Sequence, residues 1–217
     1  MRQRPDKMSN RLRIVLVEPK KGGNVGSVAR VMMNFGFHEL ALVNPPPKDD
    51  EMKMFAMHAW DIVEKAGIYE SLRDAIMECV VVIGTTGILP TSEKEHLRHP
   101  MYTIDQLPYI LHDVDGKIGV VFGREDNGLT ANELGMCDIV ATIPTSSEYP
   151  SMNLSHAVAI TLYEMAKYGA GVGRTVSTFK DRDLFFEKVH EMLLDIDYPS
   201  HKIEKTMLVL RRVMGRA

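Results

Sequence analysis

Short apolar runs alternate with helix-length amphipathic stretches through the first three-quarters of this chain. That alternation limits the fold more than any other feature. Residues 13–17 (RIVLV), 39–43 (ELALV), 80–84 (VVVIG), 117–122 (KIGVVF) and 138–143 (DIVATI) read as strands. After the first, a Gly-rich turn at 20–23 leads to Asn24, placed to cap a helix with the stripe Val25, Val28, Met32 and Phe35. Gly36 closes that helix, and Asn44-Pro45-Pro46-Pro47 stops the second strand. Helical patterns fill 49–66, 71–79 and 153–168, the last with Leu154, Val158, Leu162 and Met165 on one face. Residues 85–101 are polar, hold two prolines and read as a long loop; a short segment at 130–135 separates the last two strands. Strands separated by helices need crossover connections. The expectation is an α/β fold with a mainly parallel sheet of at least five strands and helices on both faces.

The glycines at 169, 171 and 173 mark a hinge or linker, dividing a main domain (11–169) from a helical extension (170–217). The extension predicts two helices, with stripes Phe185/Val189/Met192 and Ile203/Met207/Leu210/Met214, broken at Tyr198-Pro199-Ser200. Fewer than fifty residues cannot build their own core, so the hairpin must pack on the main domain or on another subunit.

Composition excludes several classes. At 45% hydrophobic and 25% charged residues the chain is neither disordered nor a disulfide-built miniature. No run approaches a membrane span, and the basic N-terminus lacks the apolar segment of a secretory signal. Cys79 and Cys137 are isolated, which suits a reducing compartment and a cytoplasmic location. Net charge is −3, but residues 1–21 carry seven basic against two acidic residues and 22–169 carry ten against twenty. Polyanions respond to local patches, so RNA or DNA remains a possible partner; a basic tip without function is the equal alternative.

Three segments have the composition of sites. Gly22-Gly23-Asn24-Val25-Gly26 follows a strand and opens a helix, where free amides favour an anion. It matches neither a dinucleotide fingerprint nor a Walker loop, and an ordinary βα turn also explains it. Arg30, between Ala29 and Val31, either snorkels or pairs with a buried group. The second segment, Phe122-Gly123-Arg124-Glu125, ends a strand, where open α/β sheets bind ligands; Glu125 is placed to meet an arginine or a ligand hydroxyl, or is a solvated loop carboxylate. The third is Ile143-Pro144-Thr145 with Ser151-Met152-Asn153-Leu154-Ser155, which also reads as a helix cap. No metal site is expected: Glu93, Glu95, His96 and His99 match no ligand spacing. No G-x-S-x-G elbow is present, and Trp60 with the Met-rich stretch at 52–57 reads as packing.

Taken in order, N-x-G-x-x-x-R at 24–30, F-G-x-E at 122–125, and I-P with S-x-N-x-S at 143–155 resemble the SpoU branch of the SPOUT RNA methyltransferases, over about residues 11–168. Within it the arrangement, core first and helical extension after, is most similar to the TrmJ-type tRNA ribose methyltransferases. The resemblance implies a SPOUT-type fold with a C-terminal trefoil knot, a homodimer, and transfer of methyl from S-adenosyl-L-methionine to a ribose 2′-hydroxyl of RNA. The cytidine or uridine at position 32 of the tRNA anticodon loop is the expected target. It also implies that Thr85, Thr86, Gly87, Gly123, Ile143, Ser151, Met152 and Asn153 meet the cofactor, and that Asn24, Arg30, Glu125, Ser151 and Asn153 surround the ribose. Gly87-Ile88-Leu89-Pro90 departs from relatives that carry an arginine there, which bears on RNA contacts of this loop.

The sulfonium makes methyl a good electrophile, so the enzyme must align the reacting atoms and help the hydroxyl lose its proton. A guanidinium stays protonated, so Arg30 is expected to position the hydroxyl and stabilise developing alkoxide, the proton leaving through phosphate, water or Glu125. Arg11, Arg13, Lys20, Lys21, Arg174, Lys180, Arg182, Arg211 and Arg212 are candidates to hold phosphates. In relatives the helix of the third motif helps form the dimer, so Leu154, Val158 and Leu162 are either interface or internal core. Competing readings are a ribosomal RNA methyltransferase, a non-catalytic RNA-binding relative, and a small-molecule α/β enzyme holding an anionic cofactor at the first Gly-rich turn.

Overall fold

A computed structural model describes residues 10–87, 101–112, 114–167 and 177–214, with the backbone alone at 174–175. The apolar runs become β1 (Leu12–Val17), β2 (Glu39–Val43), β4 (Cys79–Thr85), β7 (Lys117–Phe122) and β8 (Ile139–Thr142). Two three-residue strands that the sequence reading did not anticipate join them, β3 (Gly67–Tyr69) and β5 (Met101–Thr103). The seven lie in the order β3-β2-β1-β7-β4-β8-β5, every pair parallel. Strand β5 takes the end of the stretch expected to be loop; residues 88–100 lie outside the described residues.

Because strand side chains alternate, the buried sheet supports two cores. One face joins Leu12, Ile14 and Leu16 to α1 (Gly22–Phe35), α2 (Asp50–Ala56), α3 (Trp60–Glu64), α5 (Leu107–Ile110) and α7 (Leu154–Lys167). The other joins Val15, Val17, Val82 and Val121 to α4 (Leu72–Ile76), α6 (Ala131–Met136) and the first residue of α8 (Phe179–Asp195). Leu154, Val158 and Leu162 belong to the first core, so the choice between core and interface falls to core for these three.

Local chemistry moves several boundaries. Helix α1 begins at Gly22 with Lys21 at its cap position, so Asn24 sits inside the first turn and is not the cap. Gly36 does close the helix, at φ 76°, donating its N–H back to the last turn. A Cβ on Gly26 would stand 2.2 Å from the Met52 carbonyl oxygen; glycine lets α1 and α2 approach this closely. The pattern at 49–66 divides into α2, a 3-10 turn at Met57–Ala59 and α3, with Met57 at φ 51°. The pattern at 71–79 stops at Ile76, and Cys79 already opens β4. The segment at 130–135 is helical because Thr130 and Glu133 form a reciprocal capping box.

The three hinge glycines lie outside the described residues, but the chain beyond them is tied down. Arg174–Thr175 (β9) pairs with Val114–Asp115 (β6). Phe179 is buried in the second core, and the Arg182 guanidinium beneath it meets Asp138 Oδ2 at 2.7 Å and the Ser177 carbonyl at 2.7 Å, besides the Val80 carbonyl. The buried row of α8 is Phe179, Arg182, Phe186 and Leu193; Phe185 and Met192 of the expected stripe are exposed. Hydrophobic periodicity missed this row because an arginine occupies it. Helix α9 (Ser200–Met214) turns Ile203 inward as expected and leaves Met214 exposed; Arg211 stacks on Phe186 at 4.4 Å. Deleting one member of a buried pair strands the other charge, so Arg182→Ala is expected to cost about 3–5 kcal/mol in urea unfolding, and Asp138→Asn with Arg182→Met together distinctly less.

Candidate active site

The sheet's carboxyl ends converge on one cavity of about 410 Å³, within the usual range for small-molecule sites. Thr85, Thr86, Gly87, Gly123, Ile143, Ser151 and Met152 line it, while Asn153 lies outside its lining. Its apolar wall also includes Ile104, Phe122, Leu129 and Leu154. Ile104 and Leu129 were not legible in the sequence: the first depends on strand β5, the second on how the loop after Gly128 returns.

Each lining loop is drawn tight by backbone bonding. The Thr85 hydroxyl donates to the Val121 carbonyl at 2.9 Å, and the Thr86 amide to the Ala141 carbonyl at 3.0 Å. Residues 124–128 close on themselves, Arg124 N–H donating to Gly128 O at 3.2 Å and Gly128 N–H to Arg124 O at 3.0 Å. A Cβ on Gly123 would lie 2.1 Å from the Gly128 carbonyl carbon, so only glycine permits this closure.

Beside the cavity runs a chain of polar side chains drawn from all three motifs. Asn24 Nδ2 donates to Glu125 Oε1 at 2.8 Å, and Asn153 Nδ2 to Asn24 Oδ1 at 3.1 Å. Asn153 Oδ1 accepts from the Ser155 amide at 2.9 Å and hydroxyl at 2.8 Å. The orientation of both amides is dictated chemically. An ionised carboxylate only accepts and a backbone amide only donates, so each Asn presents NH₂ toward Glu125 and oxygen toward Ser155. One N–H on each Asn remains for a bound hydroxyl.

Glu125 also accepts from the Lys20 amide at 2.9 Å and the Lys21 amide at 3.3 Å, at the entry to α1. The anion at this turn is therefore a side chain of the protein, and Asp49 adds another carboxylate, 2.7 Å from where a Gly22 Cβ would stand. A ligand phosphate would meet two negative charges, so the reading of an anionic small-molecule cofactor here is abandoned. Burial pushes the Glu125 carboxyl up, but hydrogen bonds from Asn24, Lys20 and Lys21 outweigh it and hold the group below its ordinary 4.5. A carboxylate so engaged is a weaker base than a free one.

Arg30 is not joined to this chain. It is exposed on α1, with no hydrogen bond or ion pair among the described residues. Six residues of helix carry it roughly 9 Å along and about 120° around from Asn24. Ser151 is exposed at the cavity rim. Many of the expected phosphate-binding cations are turned inward instead: Arg13 to Glu39 and Glu78, Arg182 to Asp138, Arg211 to Asp183, Arg212 to the Leu134 carbonyl, and Arg11 to the Gly116 carbonyl. Lys20 pairs with Asp126. Lys21 and Lys180 are exposed; the Arg174 side chain lies outside the described residues. Among the described residues no group of three or more metal-ligating side chains occurs, and no helix is long and apolar enough to cross a membrane. Burial pushes both cysteine thiols up to about 12, which disfavours the thiolate form.

Sheet, cavity and polar chain define an α/β fold with a cavity of small-molecule size beside a row of hydrogen-bonding side chains. Residues 11–163 match the SpoU rRNA Methylase family, and the chain belongs to it. It is 38% identical over 211 residues to the tRNA (cytidine-2′-O-)-methyltransferase TrmJ of Methanocaldococcus jannaschii, covering 94% of this chain and 91% of that protein. It is 33% identical to the tRNA (cytidine/uridine-2′-O-)-methyltransferase TrmJ of Pectobacterium atrosepticum, covering 97% and 90%. The crystal structure of TrmJ from Z. mobilis ZM4 superposes with a TM-score of 0.79 at 26% identity, covering 94% of this chain and 90% of that one. The SPOUT fold expected from the motifs is thus the fold observed.

Because the Glu125 carboxyl titrates below 4.5, its stabilisation is complete above that value and is lost as pH falls through the lowered one. Glu125→Gln is therefore expected to unfold at lower urea than wild type at pH 7, with the gap narrowing as pH falls from 4.5 through the lowered value. Urea midpoints measured across a descending pH series check this.

Proposed function

We propose that this SpoU-family methyltransferase uses S-adenosyl-L-methionine to methylate the ribose 2′-hydroxyl of cytidine or uridine at position 32 in the tRNA anticodon loop. The observation that carries the reading is the hydrogen-bond chain from Glu125 through Asn24 and Asn153 to Ser155, set beside the cavity. It leaves two amide N–H donors where a sugar hydroxyl needs orienting. The tRNA assignment rests on relatives bearing that name at 33–38% identity over nine-tenths or more of both chains. The family description itself names ribosomal RNA, which keeps that substrate as the second reading. A non-catalytic RNA-binding relative would have no use for a polarised chain of four side chains.

The cavity suits the cofactor: an apolar wall of Ile104, Phe122 and Leu129 for a base, with Gly87 and Gly123 in the lining beside it. Thr85, Thr86, Gly87, Gly123, Ile143, Ser151 and Met152 would hold it, with Asn153 at the edge. When bound it supplies an electrophilic methyl group. Asn24 and Asn153 orient the hydroxyl, Glu125 keeps both amides facing correctly, and Arg30 stabilises the developing alkoxide once substrate brings it near. We further read the 11–169 domain as a knotted SPOUT core in a cytoplasmic homodimer, and 170–217 as a brace upon it.

Purified protein, methyl-labelled S-adenosyl-L-methionine and separate tRNA and ribosomal RNA fractions test the proposal. Label is expected in the ribose of tRNA. Arg30→Ala is expected to lower kcat by about 10²–10³ with cofactor affinity unchanged. Arg30→Lys should also be impaired, since an ammonium lacks the planar fork. Label confined to ribosomal RNA would move the substrate, and absence of cofactor binding would overturn the reading.

A further inference from the structure

The residue before Glu125 makes the most connected ionic contact among the described residues near the cavity. Arg124 is largely enclosed, with its side chain 14% exposed. Its Nε donates to Glu18 Oε2 at 2.8 Å, at the end of β1. Its two terminal nitrogens donate to Glu133 Oε2 at 3.0 Å and Oε1 at 3.1 Å, a bidentate pair with α6, and Nη1 also reaches the Gly128 carbonyl at 3.4 Å. A planar guanidinium is suited to serve two carboxylates and a carbonyl together; an ammonium is not.

Both ends of this contact bear on the polar chain. Glu18 sits in the left-handed region at φ 46°, its amide donating to the Val43 carbonyl, and there the chain turns out of β1 toward Lys20 and Lys21. Glu133 is already tied to Thr130 by the capping box of α6. Arg124 thus grips position 18 while its neighbour Glu125 grips the amides of 20 and 21 and the side chain of Asn24. Two successive residues clasp the same short segment. If the first lets go, the second holds a turn whose distance from the cavity is no longer set.

We propose that Arg124 is a positioning residue for methyl transfer: by joining Glu18 and Glu133 it fixes the 18–24 turn against the 124–128 loop and so holds Asn24 between Glu125 and Asn153. This rests on the methyltransferase reading above for its catalytic consequence, and on geometry alone for the clasp.

Arg124→Lys keeps the charge and removes the fork. Its melting temperature and cofactor dissociation constant are expected to stay near wild type, the latter within about twofold, while kcat falls about tenfold or more. Hydrogen exchange read by mass spectrometry should show the amides of residues 20–24 losing protection while β1 keeps its own. In a Glu125→Ala background, where position 125 no longer accepts from residues 20–24, the same substitution should change kcat less than about twofold. Unchanged protection at 20–24, or an equal loss of kcat in both backgrounds, overturns the proposal. Should Arg124→Lys melt early, Glu18→Gln releases one end of the clasp and carries the same measurements. A wild-type protein that transfers no methyl would sink the functional reading, while the exchange data still decide the clasp.

Discussion

The site depends on one carboxylate meeting the entry of a helix 101 residues away in sequence. Glu125 accepts from two backbone amides before α1 and from Asn24 in its first turn. Charge, hydrogen-bond direction and helix placement are all satisfied by this contact. An ionised acceptor imposes the orientation of Asn24, Asn24 imposes that of Asn153, and Ser155 ends the series. The direction of every hydrogen bond in the row is thereby set within the protein itself.

That contact exists only because the sheet brings β1 and β7 side by side, with Leu16 opposite Phe122. The strands end level, so the loops after them face each other. Helix α1 can then approach because Gly26 admits the Met52 carbonyl, and the loop after β7 can fold back because Gly123 admits that of Gly128. On the far side of the sheet, Phe179 and Arg182 press α8 onto β4. The extension therefore shares the main domain's second core, which accounts for arginines that composition alone suggested were free for a polyanion.

Much of this was legible in the chain. Five apolar runs marked five strands, and their separation by helical patterns required parallel pairing. The three motifs each fell at a strand end or helix start, and seven of the eight residues expected at the cofactor line the cavity. What escaped has physical causes. Strands β3 and β5, of three residues each, are too short to show periodicity and exist through pairing with β2 and β8. Asn24 looked like a cap because its side chain suits that role; the helix starts three residues earlier than that cap would place it, at Gly22, where Glu125, remote in sequence, serves the preceding amides. The buried row of α8 escaped because Arg182 breaks its apolar pattern while Asp138 makes its burial tolerable.

The sequence by itself determined the parallel α/β architecture through local periodicity, and its three ordered motifs carried the family resemblance that named the residues gathered at the strand ends. Only the tertiary structure decided which side chains are spent on one another. It joined Glu125 to Asn24 and to the amides of 20 and 21, enclosed Arg182, Arg211 and Arg212, and left Arg30 exposed. The reason is that a partner's distance in space is unrelated to its distance along the chain, and a charged group's chemistry is set by the partner it finds.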